Sequence, residues 1–140
     1  MRSILVLAVL ALVLALAGCG GSGGGMSSPA PRNPFGHTFD GTFATAATAT
    51  IQPATPGGTL HLAIAQNGAI TGAGHNVQVG QDFTVSGTYG QLYQMSLTFQ
   101  GPTAAVTATG LATFDSATNH FTGTLTKPDN SIITVNLVQN

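Results

Sequence analysis

The stretch FTVSGTYGQLYQMSLTF, residues 83–99, decides the fold of this chain. In both halves of the stretch, large apolar residues alternate with threonine, serine or glutamine. The apolar positions are Phe83, Val85, Tyr89, Tyr93, Met95, Leu97 and Phe99. A period of two is typical of a strand with one buried face, and Gly90 separates the halves as a turn residue. The stretch therefore predicts an antiparallel hairpin with an apolar inner face and a polar outer face.

The same alternation recurs along the chain after residue 37 and predicts eight strands in all. The other six cover residues 38–48, 59–65, 69–75, 105–114, 121–126 and 133–137. Short segments with turn residues join them, such as Asn67-Gly68, Asp115–Asn119 and Lys127–Asn130. Eight strands in sequence order can close and leave no exposed edge. We therefore predict an all-β, antiparallel up-and-down meander closed into a barrel, with a two-sheet β-sandwich as the alternative.

A weak internal repeat places a glycine between apolar residues on the predicted inner face. The glycines are Gly41, Gly72, Gly87, Gly110 and Gly123. A glycine in a strand permits a sharp bend or the close approach of a neighbouring strand, which curved sheets need. The alternative explanation is compositional bias, because the chain has 19 glycines. All five glycines fall on the same predicted inner face, which favours a role in strand bending or close strand approach over compositional bias.

The strand count and alternation of this domain look like those of a small calycin-type barrel, the group that holds lipocalins and avidins. That resemblance implies a barrel with a ligand site in its mouth. The tryptophan-containing start typical of lipocalins is missing. The chain has no tryptophan at all, and the absence of the tryptophans that surround biotin in avidins argues against biotin as the ligand.

The N-terminal segment has the layout of an export signal. Arg2 supplies a positive charge, residues 4–16 are uniformly apolar, and the small residues Ala17 and Gly18 precede Cys19, the only cysteine. The sequence Leu16-Ala17-Gly18-Cys19 resembles the lipobox of bacterial lipoproteins. An uncleaved membrane anchor is the alternative, but the apolar run is shorter than the roughly 20 residues of a membrane span.

The lipoprotein resemblance implies a signal helix over residues 1–18, cleavage after Gly18, and a lipid on the thiol of Cys19. The protein is then exported and held to the membrane of the cell envelope. Because Gly20 follows the cysteine in place of aspartate, transfer to the outer membrane is implied for a Gram-negative host. Residues 19–36 are rich in glycine, serine and proline and predict a flexible linker. Residues 37–140 form the barrel domain.

A meander sorts its loops between two ends, and here the two sets differ in length. The longer connections, residues 51–58, 76–81, 100–103 and 127–130, fall at one end, and they include several prolines. The linker enters the first strand at the other end, where the turns are tight. We therefore expect the looped end to be the mouth of the barrel and to point away from the membrane.

Charge and motifs exclude several functions. The chain has three basic and four acidic residues, so no basic stripe exists for nucleic acid. No serine lies in a nucleophile-elbow context, and Cys19 is assigned to lipid. Asp82, Asp115 and Asp129 are interpreted as solvated turn residues and not as paired catalytic carboxylates. We expect neither an enzyme nor a cofactor.

Three histidines, His61, His75 and His120, are predicted to point outward. A hairpin at Asn67-Gly68 that keeps Leu62 inward brings His61 and His75 close together on the outside, where imidazoles could hold a metal. No third ligand has an obvious place, so the sequence favours surface histidines without a metal.

Two functions stay open. A neutral, threonine-rich exterior favours a scaffold or interaction module with an envelope protein or glycan partner. Small inner residues favour the alternative, a barrel that binds a small apolar or amphipathic ligand in its mouth. A hollow interior would support the ligand, and a filled one the interaction module.

Overall fold

Eight antiparallel strands close into a barrel in the computed structural model, which describes residues 33–47 and 55–140. The strands are β1 (His37–Ala46), β2 (Thr55–Ile64), β3 (Ala69–Asn76), β4 (Gln81–Tyr89), β5 (Gln94–Gln100), β6 (Ala105–Asp115), β7 (His120–Thr126) and β8 (Ile132–Gln139). Each strand pairs with its neighbours in sequence, and β8 pairs back with β1, where Phe39 lies opposite Gln139. The closed meander is therefore confirmed over the sandwich.

Several predicted features lie outside the described residues. They are the signal helix, the lipobox with Cys19, most of the linker, and residues 48–54 between β1 and β2. In the part of the chain that the structure describes, no helix is long and apolar enough to cross a membrane.

The predicted inner face is the core of the barrel. Seventeen apolar residues are buried, and no polar or charged residue among those described is buried with them. The largest of those that are fully buried are Phe39, Phe121, Leu60, Leu62, Ile64, Ile70, Met95, Leu97, Leu125 and Leu137. Threonines alternate with them on the outer face, as the period of two requires. The central part of the barrel is thus filled by its own side chains.

The repeated glycines allow neighbouring strands to approach closely. Gly87 on β4 lies opposite Leu97 on β5, and a methyl group on Gly87 would overlap the carbonyl oxygen of Ser96, the residue before that leucine. The same relation holds at three other seams between strands. The pairs there are Gly41–Leu137, Gly72–Leu62 and Gly110–Leu125. These four seams alternate around the barrel, joining β8 to β1, β2 to β3, β4 to β5 and β6 to β7.

Tyr93 corrects the prediction for the hairpin of residues 83–99. It was expected to point inward, but its side chain belongs to a turn and is 58% exposed. A single glycine cannot reverse the chain between two strands, since hairpin loops need at least two residues. The turn therefore uses residues 90–93, with Leu92 and Tyr93 at positive φ, and closes by a 2.8 Å hydrogen bond from Gly90 N to Gln94 O. Strand β5 consequently begins at Gln94.

The chain enters the barrel at the predicted end, but the β3–β4 and β5–β6 connections at the opposite end, residues 77–80 and 101–104, are as short as the turns at the entry. The β2–β3, β4–β5 and β6–β7 turns lie at one end, and the chain enters there. Gly36 N donates to Ile64 O over 2.6 Å, Pro34 is buried, and the ring of Phe35 lies 5.5 Å from that of Tyr89. The last residues of the predicted linker therefore pack on the barrel. We call the end with the β2–β3, β4–β5 and β6–β7 turns the entry end, and the opposite end of the barrel the looped end.

Candidate functional site

Aromatic rings seal the entry end of the barrel. Phe39 and Phe121 are fully buried there, with ring centroids 5.2 Å apart. Tyr89 joins them at 5.4 Å from Phe121, and its hydroxyl donates a 3.0 Å hydrogen bond to Ala112 O. Phe35 covers Tyr89 from outside. No ligand can enter through this end without displacing these rings.

A second aromatic group lines the looped end, and it is open. Phe83 lies between Phe43 and Phe99, with edge-to-face contacts at 5.6 and 5.7 Å. Phe83 and Phe99 are only partly buried. Together the three rings floor a recess of about 240 Å³. Phe83 and Phe99 were predicted on the inner face, and both lie within two residues of a strand end and are only partly buried. Phe43 is 6% exposed and belongs to the buried core.

The rim of this recess is apolar on one side and carries one cation. Val79 and Val106 line it and are 62% and 39% exposed, and the neighbouring Val77 is 56% exposed. Lys127 also lines it, and no other lysine or arginine occurs in residues 33–47 and 55–140. Its Nζ lies 3.7 Å from Asp129 Oδ2, a loose pair in which the lysine side chain is half-buried and the aspartate is exposed. Clustered exposed apolar side chains mark interaction sites.

A second group of candidate side chains lies on the outer wall. His61 Nδ1 is 2.5 Å from Asp40 Oδ1, and His75 Nδ1 is 2.7 Å from Asp82 Oδ1. All four residues line one broad surface depression. The predicted outward positions and proximity of His61 and His75 are confirmed, because Leu62 pairs with Gly72 as expected.

The carboxylate partners were not found from sequence. Asp82 was interpreted as a turn residue, but it lies on β4 directly opposite His75. Asp40 lies opposite His61 on β1. Hydrogen bonds from the Asn140 side chain and from His61 lower the pKa of the Asp40 carboxyl, so Asp40 is ionised at neutral pH. Only the cross-strand register, which sequence alone leaves open, reveals these pairs.

The third outward histidine does not join this group. His120 lies on β7, and its Nδ1 contacts Asn136 Oδ1 at 3.3 Å. Across the described ranges, no set of three or more histidine, cysteine, aspartate or glutamate side chains is arranged to hold a metal. The aspartates Asp115 and Asp129 accept hydrogen bonds from Ala117 N and Ser131 N in their own turns, as the sequence predicted.

Comparison with known proteins found no matching family model, no matching curated protein and no matching solved structure. The chemistry of the two groups of residues is therefore the basis for assigning a function. The recess at the looped end can accept one apolar group beside the ammonium of Lys127 and the carboxylate of Asp82. The outer wall presents two oriented imidazoles.

Proposed function

We propose that this protein is a lipid-anchored module of the bacterial cell envelope that binds a partner protein through the looped end of its barrel. The lipobox ending at Cys19 supports the anchor. One observation carries the binding function: aromatic rings close the entry end, whereas Phe43, Phe83 and Phe99 line a recess at the opposite end. A barrel tethered through residues 19–36 presents that recess away from the membrane.

The size of the recess favours an apolar side chain of a partner as its occupant. An apolar cavity of about 150 Å³ holds a benzene molecule, so about 240 Å³ accepts one aromatic or branched aliphatic group. It is too small to bury most of an acyl chain, since pockets for drug-sized ligands run from about 300 to 1,000 Å³. Val77 and Val79, both more than half exposed, extend the apolar surface onto the barrel rim for a partner to cover.

Site-specific photo-crosslinking in the native host tests the binding surface. A photoreactive residue at Val79 should yield a discrete crosslinked product with a second protein. The matched control is Leu92, which is 80% exposed but lies at the entry end. A second photoreactive residue is placed at Val77. Equal crosslinked products at Val79 and Leu92, or no product at either Val77 or Val79, would overturn the proposal.

Lipid attachment has a separate test. Cells that express the chain should incorporate labelled fatty acid into it, and Cys19→Ser should remove the label while leaving the uncleaved precursor. Mass spectrometry of the wild-type N-terminus should find a lipidated cysteine after loss of residues 1–18. An unmodified Cys19 in a mature chain would refute the anchor.

A small ligand is the second candidate, and Lys127 favours it. The Lys127 ammonium beside an aromatic floor suits the carboxylate of a small aromatic ligand, and the Asp82 carboxylate, which also lines the recess, favours a ligand that carries a positive group as well. Native mass spectrometry of the protein from its host should then show the added mass of a retained ligand. Val106→Trp, which fills the recess, should abolish this added mass. A retained mass without any Val79 crosslink would favour this candidate over the protein partner.

A further inference from the structure

Four side chains form a continuous row across the outer wall of strands β1 to β4. Asp40 on β1 lies opposite His61 on β2, and His75 on β3 lies opposite Asp82 on β4. Across the β2–β3 seam, His61 faces Ala73 and His75 faces Thr59, so the two histidines are diagonal neighbours. The order across the wall is carboxylate, imidazole, imidazole, carboxylate.

The carboxylates fix the direction of the rings. Each histidine uses Nδ1 for its aspartate, and each aspartate lies on the flank away from the β2–β3 seam. In an imidazole ring, Nε2 lies on the opposite side of the ring axis from Nδ1. Both Nε2 atoms are therefore turned toward the shared seam. The two side chains are 48% and 46% exposed, so an ion in solution can reach them.

We propose that His61 and His75 bind one divalent transition-metal ion, Zn²⁺ or Cu²⁺, through their Nε2 atoms, with water in the remaining positions. Imidazole nitrogen is a preferred ligand of both ions. A histidine that ligates a metal almost always gives its other ring nitrogen to a carboxylate or a carbonyl. Here both histidines have such a carboxylate, whereas His120 has only the amide oxygen of Asn136.

The spacing and charge fit this ion class. Diagonal positions on paired strands have Cα atoms about 7–8 Å apart, within reach of long side chains. Two nitrogens of a tetrahedral zinc site are about 3.4 Å apart, which two facing rings can reach by leaning toward each other. The two aspartates balance the charge of a divalent ion. Calcium and magnesium prefer oxygen ligands, and both carboxylates already accept from histidine.

Calorimetric titration of the full chain with zinc or copper chloride tests this site. Every protein compared should carry Cys19→Ser and no polyhistidine tag, so that neither competes for the ion. We expect micromolar affinity. His61→Ala and His75→Ala should each weaken it at least tenfold, and His120→Ala should leave it unchanged. No binding below about 1 mM, or equal losses in all three variants, would overturn the proposal.

Asp82→Asn tests the orienting role. The Asp82 side chain is 90% exposed, so this change should leave thermal stability unchanged, and the affinity should fall about 10–100-fold. Copper electron paramagnetic resonance should show two equatorial nitrogens in the parent chain and one in His75→Ala. An unchanged nitrogen count in His75→Ala would place the ion elsewhere.

Discussion

Replacing Gly87 with alanine should destabilise the barrel far more than a glycine-to-alanine change in a strand usually does. Gly87 lies opposite Leu97, and the added methyl group would overlap Ser96 O and approach Leu97 Cδ2 to 3.0 Å. The leucine side chain can rotate, but the carbonyl belongs to the ladder between β4 and β5. The two strands must therefore separate at this seam.

Two opposing effects set the magnitude. Alanine reduces the conformational freedom of the unfolded chain, which contributes about 0.4–1 kcal/mol to stability. Overpacking costs about 1–3 kcal/mol and occasionally more, and a rigid backbone neighbour places Gly87 at the upper end. We expect the free energy of unfolding to fall by about 2–3 kcal/mol. For a domain of this size, the melting temperature should fall by roughly 10–20 °C.

Urea unfolding followed by far-ultraviolet circular dichroism measures this loss. Gly90→Ala is the matched control, because Gly90 has an extended backbone and a methyl group there would meet only Gln94 O at 3.9 Å. The free energy of unfolding of Gly90→Ala should equal that of the parent chain or exceed it slightly. If Gly87→Ala is within 0.5 kcal/mol of Gly90→Ala, the explanation of the repeated glycines by close strand approach is wrong.

Three further predictions concern the core and the turns. Tyr89→Phe should cost about 0.5–1.5 kcal/mol in urea unfolding, because it removes the buried hydrogen bond to Ala112 O. Leu125→Ala should cost about 2–5 kcal/mol by leaving a cavity at a fully buried position, whereas Leu111→Ala, at 59% exposure, should cost little. Stability should also fall in acid. Hydrogen bonds in the folded state lower the pKa of three carboxyls. Their ionised forms therefore stabilise the fold above about pH 4, and this stabilisation is lost as the pH falls through the folded pKa values. A urea midpoint that stays constant from about pH 5 to about pH 2 would contradict this prediction. These carboxyls are Asp40, Asp115 and Asp129.

The strands and their inner faces were predictable because alternation is local. Threonine and apolar residues at a period of two specify which face is buried, and the turn residues indicate roughly where each strand ends. Tyr93 was mispredicted because the alternation continues through a turn that the chain needs for reversal. The positive φ of Leu92 and Tyr93 has no signature in the residue types at those positions.

The candidate sites were only partly predictable, because they depend on pairing between strands. The proximity of His61 and His75 followed from one hairpin with a short turn. Their partners Asp40 and Asp82 lie across two other seams, and the β1–β2 seam also contains a register shift between Phe43 and Ala44. The opening of the aromatic recess depends on where strands end, which alternation locates only to within a few residues.

The seam between β1 and β8 decides when the barrel can form. Phe39 and Gln139 are opposite each other across it, although they are 139 − 39 = 100 residues apart in sequence. Closing a loop of that length costs about 4 kcal/mol of chain entropy before any contact compensates for it. We therefore expect slow folding, in milliseconds to seconds, as in other barrels with distant contacts. If the chain is exported as we propose, slow folding favours export. The barrel cannot close before β8 has been synthesised, so the polypeptide stays unfolded and can cross the membrane as an extended chain.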